Sequence, residues 1–183
     1  MSQPGLVGGD MRRWSRRPRL QIEFELSRDV SQYNSSGTGW PRRFATVHVR
    51  NTGKDTAKHC VATVRVLSAP PEVELRQSKW TVHWAGVDYS GQTTGAEPVE
   101  IGLELRRLDV AFTAGPPEFP SQPGAWIAMP LALVMPAKTG QAFLPPGEYT
   151  IKLTVACENG KGSSSKFTLI SPPNWEGLSM AST

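Results

Sequence analysis

Along this chain apolar residues return at every second position in one segment after another. Leu20, Ile22, Phe24 and Leu26 alternate with Gln21, Glu23 and Glu25. Ala45, Val47 and Val49 alternate across 44–50, and Cys60, Ala62, Val64 and Val66 across 58–67. Trp80, Val82 and Trp84 fall on one face of 75–85, with Lys79, Thr81 and His83 on the other. Successive side chains of a strand point to opposite faces, so this period marks strands with one buried and one wet face. Segment 99–113 ends in the same alternation at Leu108, Val110 and Phe112, while 102–107 reads as a bend. The clearest case comes late. After Leu144-Pro-Pro-Gly147, the residues Tyr149, Ile151, Leu153, Val155 and Cys157 share a face, a turn follows at 158–162, and Phe167 and Leu169 lie on a return strand. That pattern predicts a β-hairpin.

About seven strands at short spacing, with little helix, predict an all-β fold: an immunoglobulin-like antiparallel β-sandwich carrying one long insertion. The 17 glycines and 16 prolines among 183 residues suit many turns. The insertion is 114–143, where prolines and glycines exclude a regular element before the apolar run 125–135, broken by Pro130. Too short to cross a bilayer, that run is expected to cover the sandwich or add an edge strand. The expected layout is a disordered basic arm at 1–17, the sandwich at 18–171 and a loose tail at 172–183 from which Trp175 could dock.

Charge changes this picture at one place. Arg12, Arg13, Arg16, Arg17 and Arg19 fall in ten residues without an acid; the rest of the chain holds 15 basic residues against 16 acidic ones. The net charge of +4 therefore belongs to the arm. Such an arm suits an anionic membrane or nucleic acid, or is simply a solvated leader. The first ten residues hold no apolar signal region, so the expected location is the cytoplasm, with the membrane surface as the alternative.

Two short motifs, Val49-Arg-Asn51-Thr52-Gly53 and Leu144-Pro-Pro-Gly147-Glu-Tyr149, lie at the end of one strand and the start of another. With them the chain resembles, over roughly residues 20–170, bacterial immunoglobulin-like and fibronectin-type-III-like modules, including the cell-adhesion-related (CARDB) type. The resemblance implies that Asn51 and the glycines serve turns and that Tyr149 pins a corner through its hydroxyl. It also implies a non-catalytic binder, spacer or assembly part. The long insertion and the basic arm depart from the family pattern, and fold kinship alone does not select a role.

Candidate chemistry is sparse. Cys60 begins one strand and Cys157 ends another; if these strands are antiparallel neighbours, both thiols lie at one end and face inward. A disulfide requires Cα atoms within about 7 Å, and two reduced thiols filling core space are the expectation for a cytoplasmic chain. His48, His59 and His83 sit on separate strands, on faces assigned to solvent, without metal-ligand spacing. Glu23, Glu25, Glu72 and Glu74 read as solvated. No nucleophile elbow and no phosphate-binding loop occurs, so no enzyme, cofactor or small-molecule substrate is inferred. Trp80 and Trp84 read as core. Tyr33, Trp40, Phe119 and Trp126 lie in or beside long loops expected to project from one end, where rings could form a binding surface for a protein partner. Trp126 carries a second reading, as a cap on the core together with Ile127, Leu131 and Leu133. The functional expectation is a non-enzymatic module that binds a protein partner through 28–42 and 114–143. Docking on an anionic surface through Arg12–Arg19 is the alternative, and carbohydrate binding by exposed rings a weaker one.

Overall fold

The computed structural model describes residues 16–24, 30–34, 41–85, 98–115, 123–129 and 142–183. Among the described residues thirteen strands follow one another. They are β1 (Leu20–Glu23), β2 (Val30–Asn34), β3 (Pro41–Asn51), β4 (Ala57–Ser68), β5 (Lys79–Thr81), β6 (His83–Trp84) and β7 (Val99–Ile101). Then come β8 (Arg106–Ala114), β9 (Ala125–Ile127), β10 (Phe143–Leu144), β11 (Gly147–Ala156), β12 (Ser163–Ser171) and β13 (Ser179–Ser182). One sheet runs β1-β3-β8-β9-β10, with β2 also on β3 and β6 also on β8. The other runs β13-β12-β11-β4-β5, with β7 also on β4. Every strand pairing is antiparallel. The fold is an all-β sandwich whose two sheets share one core.

The inward residues read from the period do line that core. Ala45, Val47, Val49, Cys60, Ala62, Val64, Ile151, Leu153 and Val155 are all fully buried. The expected hairpin is β11–β12, in register from Gly147↔Ser171 to Val155↔Ser163. At its start the Tyr149 hydroxyl donates to the Pro145 carbonyl at 2.8 Å, which fastens the corner. Gly147 has φ +152, and a Cβ there would lie 2.4 Å from Pro70 Cγ, so only glycine fits.

Segment 75–85 is not one strand. Trp80 pairs with Val64 in one sheet, while Trp84 pairs with Leu108 in the other. The switch falls at Val82, whose N–H still bonds the Ala62 carbonyl at 3.0 Å. The alternation runs unbroken through the switch, so the pattern gives no sign of it. His83, assigned to solvent, is instead buried. Its N–H donates to the Ala128 carbonyl and its Nδ1 lies 3.4 Å from Asp109 Oδ2, whose other oxygen Arg107 holds at 3.1 Å. Lys79 on the same face is exposed as expected, and only at His83 is that face covered, by β8 and the end of β9.

Two boundary expectations are corrected. The tail 172–183 is fixed: Asn174 caps a 3-10 turn at Trp175–Gly177, Thr113 Oγ1 donates to the Trp175 carbonyl, and β13 extends the sheet beyond β12. Leu178 and Met180 are buried along this segment, so their apolar contacts and the β12–β13 ladder hold it against the sandwich. At the other terminus main-chain bonds tie Arg16, Pro18, Arg19 and Leu20 to two turns, within and just after the expected arm 1–17; residues 1–15 lie outside the described residues.

Candidate functional site

These ties define one end of the sandwich. Asn51, at the last position of β3, uses its whole amide. Its Nδ2 donates to the carbonyls of Asp55 (2.8 Å) and Ile101 (3.2 Å), and its Oδ1 accepts from the N–H groups of Gly53 (2.9 Å) and Arg19 (3.1 Å). The Arg16 carbonyl accepts from Lys54 and Asp55, and the Arg19 carbonyl from Thr52. On the other side Lys161 N–H donates to the Pro18 carbonyl and Leu20 N–H to the Lys161 carbonyl, both at 3.0 Å. Segment 16–20 is thereby clamped between turns 51–55 and 158–162. Two glycines admit it: a Cβ on Gly53 would lie 2.2 Å from the Arg17 oxygen, and one on Gly160 2.6 Å from the Pro18 oxygen.

The clamped segment borders an open cleft of about 900 Å³ lined by Arg17, Pro18, Arg19, Glu158, Asn159, Gly160 and Lys161. Arg17, Arg19 and Lys161 are exposed. The one carboxylate in the lining, Glu158, is engaged by His59 Nδ1. Asn159 holds the floor, accepting from Lys58 N–H at 2.8 Å and donating to the Thr56 carbonyl at 2.9 Å. Arg16, Arg17 and Arg19 of the expected cationic set are thus presented on fixed backbone, while Arg12 and Arg13 lie outside the described residues.

Beneath the cleft lie the two cysteines. β4 and β11 are antiparallel neighbours whose last pair is Val61↔Ala156, which brings Cys60 and Cys157 together. Both are free thiols, near enough for each to shift the ionisation of the other. Burial, then the neighbouring Cys157, pushes the Cys60 thiol up to about 12. Burial also raises Cys157, but the Gly160 N–H and the Cys60 thiol oppose it, so Cys157 is the readier of the pair to ionise. A bulge sets this geometry: the β4–β7 register slips between Ala57 and Cys60, and His59 there has φ 49. His59 turns outward to Glu158 while Cys60 points in.

The aromatic set fares differently. Trp126 is only 2% exposed, pairs with Phe112 across β8–β9 and stacks on that ring at 5.8 Å. It belongs to the core, as do Ile127 and the Phe143 ring tilted 5.1 Å from it. It supplies no binding surface, because β9 sits between β8 and β10 and not in a projecting loop. Trp40, Phe119, Leu131 and Leu133 lie outside the described residues; Tyr33 sits on β2, opposite Arg42. Among the described residues no three His, Cys, Asp or Glu side chains gather as metal ligands, and no helix is long and apolar enough to cross a membrane.

Sequence reasoning missed Asn51 as a hub, since Asn-Thr-Gly signals a turn whatever the amide binds. It also passed over Leu103 and Leu105, exposed at 77% and 38% on the β7–β8 turn; their signal was apolar residues inside a predicted bend. Comparison of the chain with protein-family models, curated proteins and solved structures finds no match. The class defined by the fold is an all-β antiparallel sandwich.

Proposed function

We propose that this chain is a non-catalytic β-sandwich module that docks on an anionic surface through its basic end. One observation carries the reading: Arg17, Arg19 and Lys161 surround an open cleft on backbone already fixed by the 51–55 and 158–162 turns. A flexible basic leader would lose backbone entropy of about 1–2 kcal/mol per residue ordered on docking, whereas here residues 16–19 are ordered beforehand. The test is retention on immobilised heparin at rising salt, comparing wild type with the triple variant Arg17→Gln, Arg19→Gln, Lys161→Gln. Wild type elutes at clearly higher salt; coincident elution of two folded proteins rejects the reading. The Asn51–Gly53 turn and the Tyr149 corner are consistent with an immunoglobulin-like kinship of the kind the motifs suggest.

A second reading, a protein partner bound through loops 28–42 and 114–143, is favoured by the register Arg42↔Ala114, which puts the described ends of the two loops side by side. They lie opposite the basic end along β3. Trp40→Ala with Phe119→Ala abolishes partner capture on this reading and leaves heparin elution unchanged.

A further inference from the structure

The turn that joins β7 to β8 carries Leu103 and Leu105, and the remaining large exposed apolar residue among the described residues, Leu67, lies at the far end of β4. A single exposed leucine is unremarkable on a protein surface. The neighbourhood gives these two their meaning. Asn51 bonds both the Arg19 N–H and the Ile101 carbonyl, so the leucine turn starts beside the anchorage of the basic segment. Lys54 and Lys58 are exposed on the turn and strand between them. Of four acids here, Glu104 pairs with Arg106 at 3.1 Å and Glu158 with His59, while Asp55 and Glu100 offset part of the charge.

We infer that the occupant of this end is the surface of an anionic bilayer, with the cations on lipid headgroups and Leu103 and Leu105 inserted at the acyl boundary. The inference rests on the anion-docking reading and adds the partner and the inserting turn. Cations beside an apolar tip are the two components of reversible membrane binding, electrostatic attraction and buried apolar area. Nucleic acid explains only half of the arrangement. Its phosphates have no use for an aliphatic tip, and among the described residues the cleft lining holds no aromatic ring on which a base could stack.

The experiment is co-sedimentation of the full chain with phosphatidylcholine vesicles, with and without phosphatidylserine, alongside retention on a short DNA duplex. Wild type binds the phosphatidylserine vesicles in a salt-sensitive way. Leu103→Ser with Leu105→Ser weakens that binding by about tenfold. Arg19→Gln and Lys161→Gln weaken it by about fivefold each. Both leucines are exposed, so these variants fold, and a melting curve checks it. Vesicle binding unchanged by the leucine pair overturns the insertion while sparing the docking reading. Capture by DNA but not by vesicles overturns the bilayer as partner. Failure to bind either probe sinks both readings together.

Discussion

Asn51→Ala removes the one side chain that ties the basic segment, the 51–55 turn and β7 together. Four hydrogen bonds disappear, and the methyl group replaces none of them. The Gly53 N–H and the Ile101 carbonyl belong to buried residues and are left without this partner. Each such group costs about 1–3 kcal/mol. Arg19 and Asp55 are exposed and can turn to water, so their loss counts little. The expected destabilisation is about 4 kcal/mol, which lowers Tm by about 8–16 °C for a chain of this size. Thermal melts and urea titration read the stability. Hydrogen exchange at Leu20, whose N–H bonds the Lys161 carbonyl, reads whether the segment has come loose. Thr52→Val is the control: it deletes only the exposed Oγ1 bond to the Arg19 carbonyl and costs less than about 1 kcal/mol. If Asn51→Ala falls within about 1 kcal/mol of wild type and Leu20 stays protected, Asn51 is not the anchor described here.

Gly160→Ala forces a Cβ against the Pro18 backbone, so segment 16–19 detaches and heparin retention falls while the sandwich core still melts cooperatively; unchanged exchange at Leu20 contradicts this. Tyr149→Phe deletes the hydroxyl bond to Pro145 and lowers stability by about 1 kcal/mol in urea titration. Stability is also lost in alkali. Burial, then the Glu72 charge, pushes Tyr149 up to about 12, and Cys60 is likewise raised to about 12 from an ordinary 9.0. Both acids stay protonated in the fold after the unfolded chain has ionised, so stability is full below about pH 9 and falls as pH climbs towards 12. Urea midpoints across that range check the slope, and Cys60→Ala flattens its lower part. Trp126→Ala costs about 3–5 kcal/mol, as expected for a core ring; a change below about 1 kcal/mol would return it to the surface.

The strands were legible because burial on one face leaves a period of two, which needs no knowledge of the partner strand. Ala45, Val47 and Val49 and the Tyr149–Val155 series are the plainest instances. What stayed hidden depends on contacts distant in sequence. His83 lies on the polar side of its alternation, yet β8 and Ala128 cover it. Trp126 carries two readings, a loop ring and a cap on the core within its apolar run, and pairing to Phe112 places it inside. The tail 172–183 reads as loose in sequence, and only its contacts show otherwise, with Leu178 and Met180 buried and β13 paired to β12. The basic end was half readable. The arginines stood out by number, but their clamping depends on Gly53 and Gly160, which look like any turn glycines.

The crossing at Val82 has a consequence for how the molecule comes apart. A sandwich whose layers meet only through side chains can lose one layer while the other survives. Here a single stretch of six residues is laddered to both layers, from Arg65↔Lys79 to Trp84↔Leu108. Peeling either layer away breaks the ladder held by the same segment in the other, so the two unfold as one cooperative unit. Amide protons of Val64 and Leu108, on opposite layers, should therefore exchange with the same free energy of opening, and no half-melted sandwich should accumulate in denaturant.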